Sequence, residues 1–212
     1  PTLDELRVTP DGKYFVFKAE PEGNDQLFRL TTDGSELKQL TFGDDTYVGD
    51  SSPSADSSSV IYHRVDTSSL YRIPIDGGEQ VRMEGTGDLI NPHYSPDGKY
   101  VSYINFLGPS ARIAVRSTSD VPNTMFFDLP STALGNVGAI WTPDGRSLAY
   151  IVYENRTSNI WLQSIDGGPP RKLTNFTSGH IYRIAYSTDG RSLYLARGYA
   201  TNNAVLFRGF AY

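Results

Sequence analysis

Val137-Gly-Ala-Ile-Trp-Thr-Pro-Asp-Gly-Arg-Ser-Leu-Ala-Tyr-Ile-Val152 reads as two short strands with a tight turn between them. The segment ending in Ile140-Trp141 runs into Thr142-Pro-Asp-Gly145. Proline presets φ at the first corner, aspartate tolerates the second, and glycine accepts the positive φ with which the chain re-enters the sheet. The apolar run Leu148-Ala-Tyr-Ile-Val152, like its counterpart Leu193-Tyr-Leu-Ala196 in the last unit, is then expected to be a strand buried on both faces.

The same turn recurs along the chain as Val8-Thr-Pro-Asp-Gly-Lys13, Tyr94-Ser-Pro-Asp-Gly-Lys99 and Tyr186-Ser-Thr-Asp-Gly-Arg191. A degraded copy is Pro53-Ser-Ala-Asp-Ser-Ser58. The aligned aspartates Asp11, Asp56, Asp97, Asp144 and Asp189 are 45, 41, 47 and 45 residues apart, a period that fits one propeller blade. Each unit continues with an alternating third strand, such as Leu70-Tyr-Arg-Ile73 or Asn159-Ile-Trp-Leu162, expected to be half-exposed. A second turn, Asp33-Gly34, Asp76-Gly-Gly78 or Asp166-Gly-Gly168, leads to a fourth, as in Leu37-Lys-Gln-Leu-Thr41 and Arg171-Lys-Leu-Thr174.

The predicted fold is an all-β propeller of five four-stranded antiparallel repeats, divided at 1–42, 43–85, 86–130, 131–175 and 176–212. Blades of this size bury little alone and must stack their apolar faces around an axis. The fifth unit supplies a third strand, Ala204-Val-Leu-Phe207, but too few residues for a fourth. The expectation is a propeller that is part of a larger ring, its open edge completed by further sequence, by another chain or by self-association.

Composition narrows the function classes. The 212 residues carry 19 Lys and Arg against 24 Asp and Glu, a net charge of −5 with no block of like sign, so nucleic acid is not an expected partner. No apolar run approaches the roughly 18 residues of a membrane helix, so membrane insertion is not expected. The lack of cysteine removes disulfides and thiolate chemistry and leaves the compartment open.

The Tyr/Trp-Ser/Thr-Pro-Asp-Gly-Lys/Arg signature, with its Ile-Asp-Gly-Gly turn and Leu-Thr ending, resembles the TolB-type repeat, also called the WD40-like β-propeller repeat. The resemblance covers essentially the whole chain. It implies a bacterial protein, in a periplasmic or other extracytoplasmic setting, and a fold shared by TolB, tricorn-type proteases and the propellers of prolyl oligopeptidases and dipeptidyl peptidases. The run from Leu195 to Phe210 is similar to endings of bacterial multidomain signalling proteins, which would make the role sensing or docking.

No catalytic centre is legible. A serine hydrolase would carry Gly-x-Ser-x-Gly, which does not occur. His63, His93 and His180 lie at different places in the blade pattern with no pair at ligand spacing, so neither a metal site nor a cofactor is expected. A carbohydrate-active propeller would need inward carboxylates, whereas those here fall mostly in turns.

Function in propellers collects on the face formed by the second-to-third-strand loops and the loops between blades. The residues this geometry selects are Asp44, Asp45, Tyr47, Arg64, Asp66, Phe106, Arg112, Asn155, Arg156, Asn175, Phe176, His180 and Tyr199. Mixed charge with aromatics suits a protein or peptide. The expectation is a noncatalytic interaction or sensing module; the alternative is the propeller of a prolyl-oligopeptidase-like or tricorn-like peptidase whose hydrolase domain lies outside this chain.

Overall fold

The repeated turn closes in the same way each time in the computed structural model. The model describes residues 4–21, 23–43, 48–83, 89–107, 110–119, 121, 123–133, 138–187 and 189–199. In the first copy the Gly12 amide donates to the Thr9 carbonyl at 2.8 Å, and Gly12 stands at φ +73°. The Thr9 hydroxyl donates to Asp11 Oδ1 at 2.7 Å, and the Lys13 amide donates to the same oxygen at 3.1 Å. The pairs Ser54/Asp56, Ser95/Asp97, Thr142/Asp144 and Ser187/Asp189 repeat the hydroxyl contact at 2.6 to 2.7 Å. These donors hold all five carboxyl groups below the usual carboxylate range, Asp11 at about 2. The five aspartates are turn residues.

Four sheets of four antiparallel strands and one two-stranded sheet follow. The first contains β1 (Asp4–Val8), β2 (Tyr14–Ala19), β3 (Gln26–Thr31) and β4 (Leu37–Gln39). The second contains β5 (Val48–Pro53), β6 (Ser59–Arg64), β7 (Ser69–Pro74) and β8 (Val81–Arg82). The third contains β9 (Leu89–Tyr94), β10 (Tyr100–Leu107), β11 (Ser110–Ser117) and β12 (Thr124–Asp128). The fourth contains β13 (Ile140–Trp141), β14 (Ser147–Glu154), β15 (Thr157–Ser164) and β16 (Arg171–Lys172). The fifth pairs β17 (His180–Tyr186) with β18 (Leu193–Gly198); the strand expected over Ala204 to Phe207 lies outside the described residues. The described residues contain no helix, and none therefore that could cross a membrane.

Packing between sheets follows from the two-residue period of a strand, which sends neighbouring side chains to opposite faces. On β6, Val60 and Tyr62 join a cluster with Val16 and Leu27 of the first sheet, while Ile61 joins Val101, Tyr103 and Ala114 of the third. On β14, Leu148, Tyr150 and Val152 meet Ile113 and Val115 of the third sheet, while Ala149 and Ile151 meet Ile181 and Ile184 of the fifth. The second strands of the interior sheets are thus buried on both faces, each fully covered isoleucine or leucine contributing about 2 kcal/mol.

Two expectations differ from the result. The third strand β15 is mostly buried rather than half-exposed, because the third and fifth sheets cover its two faces. The second strand β18 alternates half-buried and exposed residues, because the fourth sheet covers only one of its faces among the described residues.

Polar ties reinforce the apolar seams. Arg29, whose side chain is only 5% exposed, bridges Glu36 at 3.0 Å in its own sheet and Asp76 at 3.1 Å in the next. The innermost strands β1, β5, β9 and β13 touch in sequence order. The Asn91 amide donates to the Asp50 carboxylate at 2.9 Å, and Trp141 Nε1 donates to the His93 carbonyl at 3.1 Å.

Candidate loop-face binding site

An antiparallel meander of four strands places its second-to-third-strand hairpin and its link to the next sheet at the same end. The candidate residues should therefore share one face, and the structure brings some of them together while assigning others to local work. Asp44, Asp45 and Tyr47 lie outside the described residues.

On the second sheet, Arg64 Nε donates to Asp66 Oδ1 at 3.1 Å, and the guanidinium lies 5.0 Å from the centre of the Tyr71 ring. The hydrogen bond from Arg64 holds the Asp66 carboxyl below its ordinary range. This pair is satisfied internally. On the third sheet, Arg112 Nε donates to Asn105 Oδ1 at 3.1 Å, and its guanidinium sits 3.8 Å over the Phe126 ring. Phe106 beside it lines a hollow of about 230 Å³.

The densest grouping straddles the fourth and fifth sheets. The His180 ring stacks on Tyr153 at 4.6 Å, with Tyr182 at 6.2 Å on its own strand. Arg197 sits 4.3 Å over the Phe176 ring and donates to the Ser178 carbonyl. The Phe176 backbone is fixed by Asn159, which accepts its amide at 2.7 Å and donates to its carbonyl at 3.1 Å. The Ser178 and Tyr199 hydroxyls are 2.9 Å apart. Asn155 and Phe176 line one hollow of about 320 Å³, and Asn175 is an exposed neighbour. Tyr182 and Tyr199 remain 48% and 69% exposed, which is where a partner could reach them.

No family model matches the chain. An uncharacterized protein of Agrobacterium fabrum is 32% identical over 131 residues, which make up 59% of this chain and 43% of that protein. The Tol-Pal system protein TolB of Anaeromyxobacter dehalogenans is 28% identical over 102 residues, covering 48% of this chain and 23% of that protein. The chain thus spans less than half the length of these curated relatives. A solved structure of a putative TolB from Agrobacterium tumefaciens superposes with a TM-score of 0.69 and 18% identity, covering 93% of this chain and 75% of that one. This chain has the β-propeller fold of the TolB structures. The peptidase alternative is not favoured by these likenesses.

In this propeller the sequence reading missed Tyr153, Tyr182 and Arg197. All three lie on strands, and the reading selected loop residues. The signal available was periodicity: Tyr182 stands two residues after His180 and so shares its side of β17.

Asn155 and Arg156 have a structural assignment. Glu154 pairs with Thr157, which leaves these two as a two-residue hairpin loop, at φ +50° and +64°. That is a type I′ turn, in which asparagine suits the first position and glycine the second. Arg156 occupies the glycine position at a conformational cost of about 1 kcal/mol. Arg156→Gly is expected to stabilise the propeller by about 0.5 kcal/mol, the gain being reduced by glycine's extra freedom when unfolded. Urea unfolding reads the change; a loss of stability would show that the arginine side chain contributes more than its backbone costs.

Proposed function

We propose that this chain is a noncatalytic module that binds an extended peptide segment of a protein partner across the loop face of its fourth and fifth sheets. The observation that carries this is the grouping of Tyr153, His180 and Tyr182 beside Phe176 and Arg197, with exposed ring surface at Tyr182 and Tyr199. Aromatic rings supply large contact area at low entropic cost, and arginine adds a planar donor fork for a carboxylate or carbonyl. The relatives named as Tol-Pal system proteins support a protein as the partner class.

Fluorescence polarisation against an array of random 12-residue peptides, with purified Pal as a protein probe, tests the proposal. The expected result is saturable binding, weakened about tenfold or more by Tyr182→Ala or Arg197→Ala and unchanged by Lys13→Ala on the opposite face. Absence of binding to every probe, or equal weakening by Lys13→Ala, overturns it.

A further inference from the structure

The second repeat breaks the turn pattern, and the structure shows what lies beside the break. Where the third and fourth repeats have Pro-Asp-Gly followed by Lys or Arg, the second has Ala55-Asp56-Ser57-Ser58. Ser57 holds the left-handed conformation at φ +61°, which glycine adopts at little cost and serine does not. Departures from a local rule that persist in a repeat are where a functional demand is expected. Alanine for proline and serine for lysine or arginine also trim this turn to shorter side chains.

Beside the trimmed turn, between the second and third sheets, lies a cleft of about 620 Å³. That volume is within the range of small-ligand sites. Arg72 and Arg116 line it from its two walls. Their placement follows from register: Arg72 pairs with Ile61, which faces the third sheet, and Arg116 pairs with Val101, which faces the second. Directly paired residues share a face, so both arginines project from the opposed surfaces. Tyr94, Ser59 and Thr118 add hydroxyl groups to the lining.

Two carboxylates and a third arginine, Arg82, also line the cleft. Asp56 Oδ1 accepts from the Ser54 and Ser58 hydroxyls at 2.6 and 2.8 Å. Asp97 accepts from Ser95 at 2.7 Å and pairs with Lys99 Nζ at 3.2 Å. The lining thus carries three guanidinium groups against two carboxylates, and an arginine fork matches the oxygens of a phosphate or carboxylate.

We propose that the cleft between the second and third sheets is a binding site for a small hydroxyl-rich oxyanion, a sugar phosphate or sugar acid, held between Arg72 and Arg116. The site lies on the Pro-Asp-Gly side of the propeller, away from the loop face, and stands independently of the peptide-binding proposal.

Isothermal titration with glucose 6-phosphate, glucuronate, inorganic phosphate and neutral glucose tests it on the whole chain. At least one sugar anion is expected to bind in the millimolar range or tighter, and glucose is not. The phosphate and uronate arms identify the source of the oxyanion. Arg72→Gln and Arg116→Gln are each expected to weaken binding about tenfold or more. Ala55→Pro restores the repeat's own residue at the rim, leaves both arginines in place, and is expected to weaken binding by narrowing the entrance. It keeps the test decisive if an arginine variant unfolds. The proposal is overturned if neither sugar anion binds, if glucose binds equally well, if inorganic phosphate matches the sugar anions as an adventitious ion, or if the folded variants bind as the parent does.

Discussion

Gly190→Ala is expected to cost about 3 kcal/mol, whereas Gly12→Ala, at the same place in another repeat, is expected to cost about 1 kcal/mol. Both glycines adopt a left-handed backbone, at φ +69° and +73°, so the conformational part of the penalty is common to them. They differ in what a methyl group would meet. At Gly12 there is open space, but at Gly190 the added carbon would fall 2.6 Å from Cβ and 3.0 Å from Cγ of Pro143. Pro143 belongs to the turn of the preceding repeat, and its ring is anchored to its own backbone at both ends, so it has no rotamer by which to retreat. The turn of one sheet nests on the turn of the next, and a side chain there levers two sheets apart. Urea unfolding of the two single variants checks the ordering. In the double variant Pro143→Gly/Gly190→Ala the loss should be smaller than the sum of the single losses, because the clash has been removed. Equal costs at both glycines would mean that the seam yields without resistance.

Acidification is expected to weaken the propeller in two separate windows. His93, on the innermost strand β9, has its pKa pushed down to about 4, first by burial and then by the positive charge of Arg7. An unfolded histidine titrates near 6.5 and takes up its proton earlier than the folded one does. The neutral ring therefore contributes its full stability above about pH 6.5, and that contribution is lost as the pH falls toward 4, by up to about 3 kcal/mol. His63, whose pKa burial also lowers, acts with the same sign. The second window belongs to the turn aspartates. Their depressed pKa values stabilise the fold above the ordinary carboxylate range, and this part is lost as the pH falls from 3.8 toward about 2. Unfolding free energies measured from pH 8 to 2 should show both steps, and His93→Gln should flatten the first while leaving the second. A wild-type profile flat between pH 6.5 and 4 would contradict the assignment to His93.

The candidate site was only partly legible in the sequence. Phe176, His180 and Tyr199 were selected as loop-face residues and do fall in one neighbourhood, because hairpin topology fixes which loops share an end. Arg64 and Asp66 were selected on the same ground, yet they pair with each other. Asn155 and Arg156 are picked out by the same loop geometry, yet their backbone conformation gives them work as a turn. Tyr153, Tyr182 and Arg197 lie on strands, away from the loops that hairpin topology points to.

What the sequence determined by itself is the repeat: the strand order within each unit, the turn at every Asp-Gly, and the alternation that gives each interior sheet two apolar faces. These rest on local stereochemistry and a two-residue period, which are properties of neighbours along the chain. Only the tertiary structure decided which sheets meet and what collects between them. Examples are the seating of Pro143 on Gly190, the stack of Tyr153 on His180, and the opposed arginines Arg72 and Arg116. Residues 27 to 47 positions apart come to face each other there because of the angle between successive sheets. That angle is set by how whole faces pack against each other, and no local run of residues encodes it.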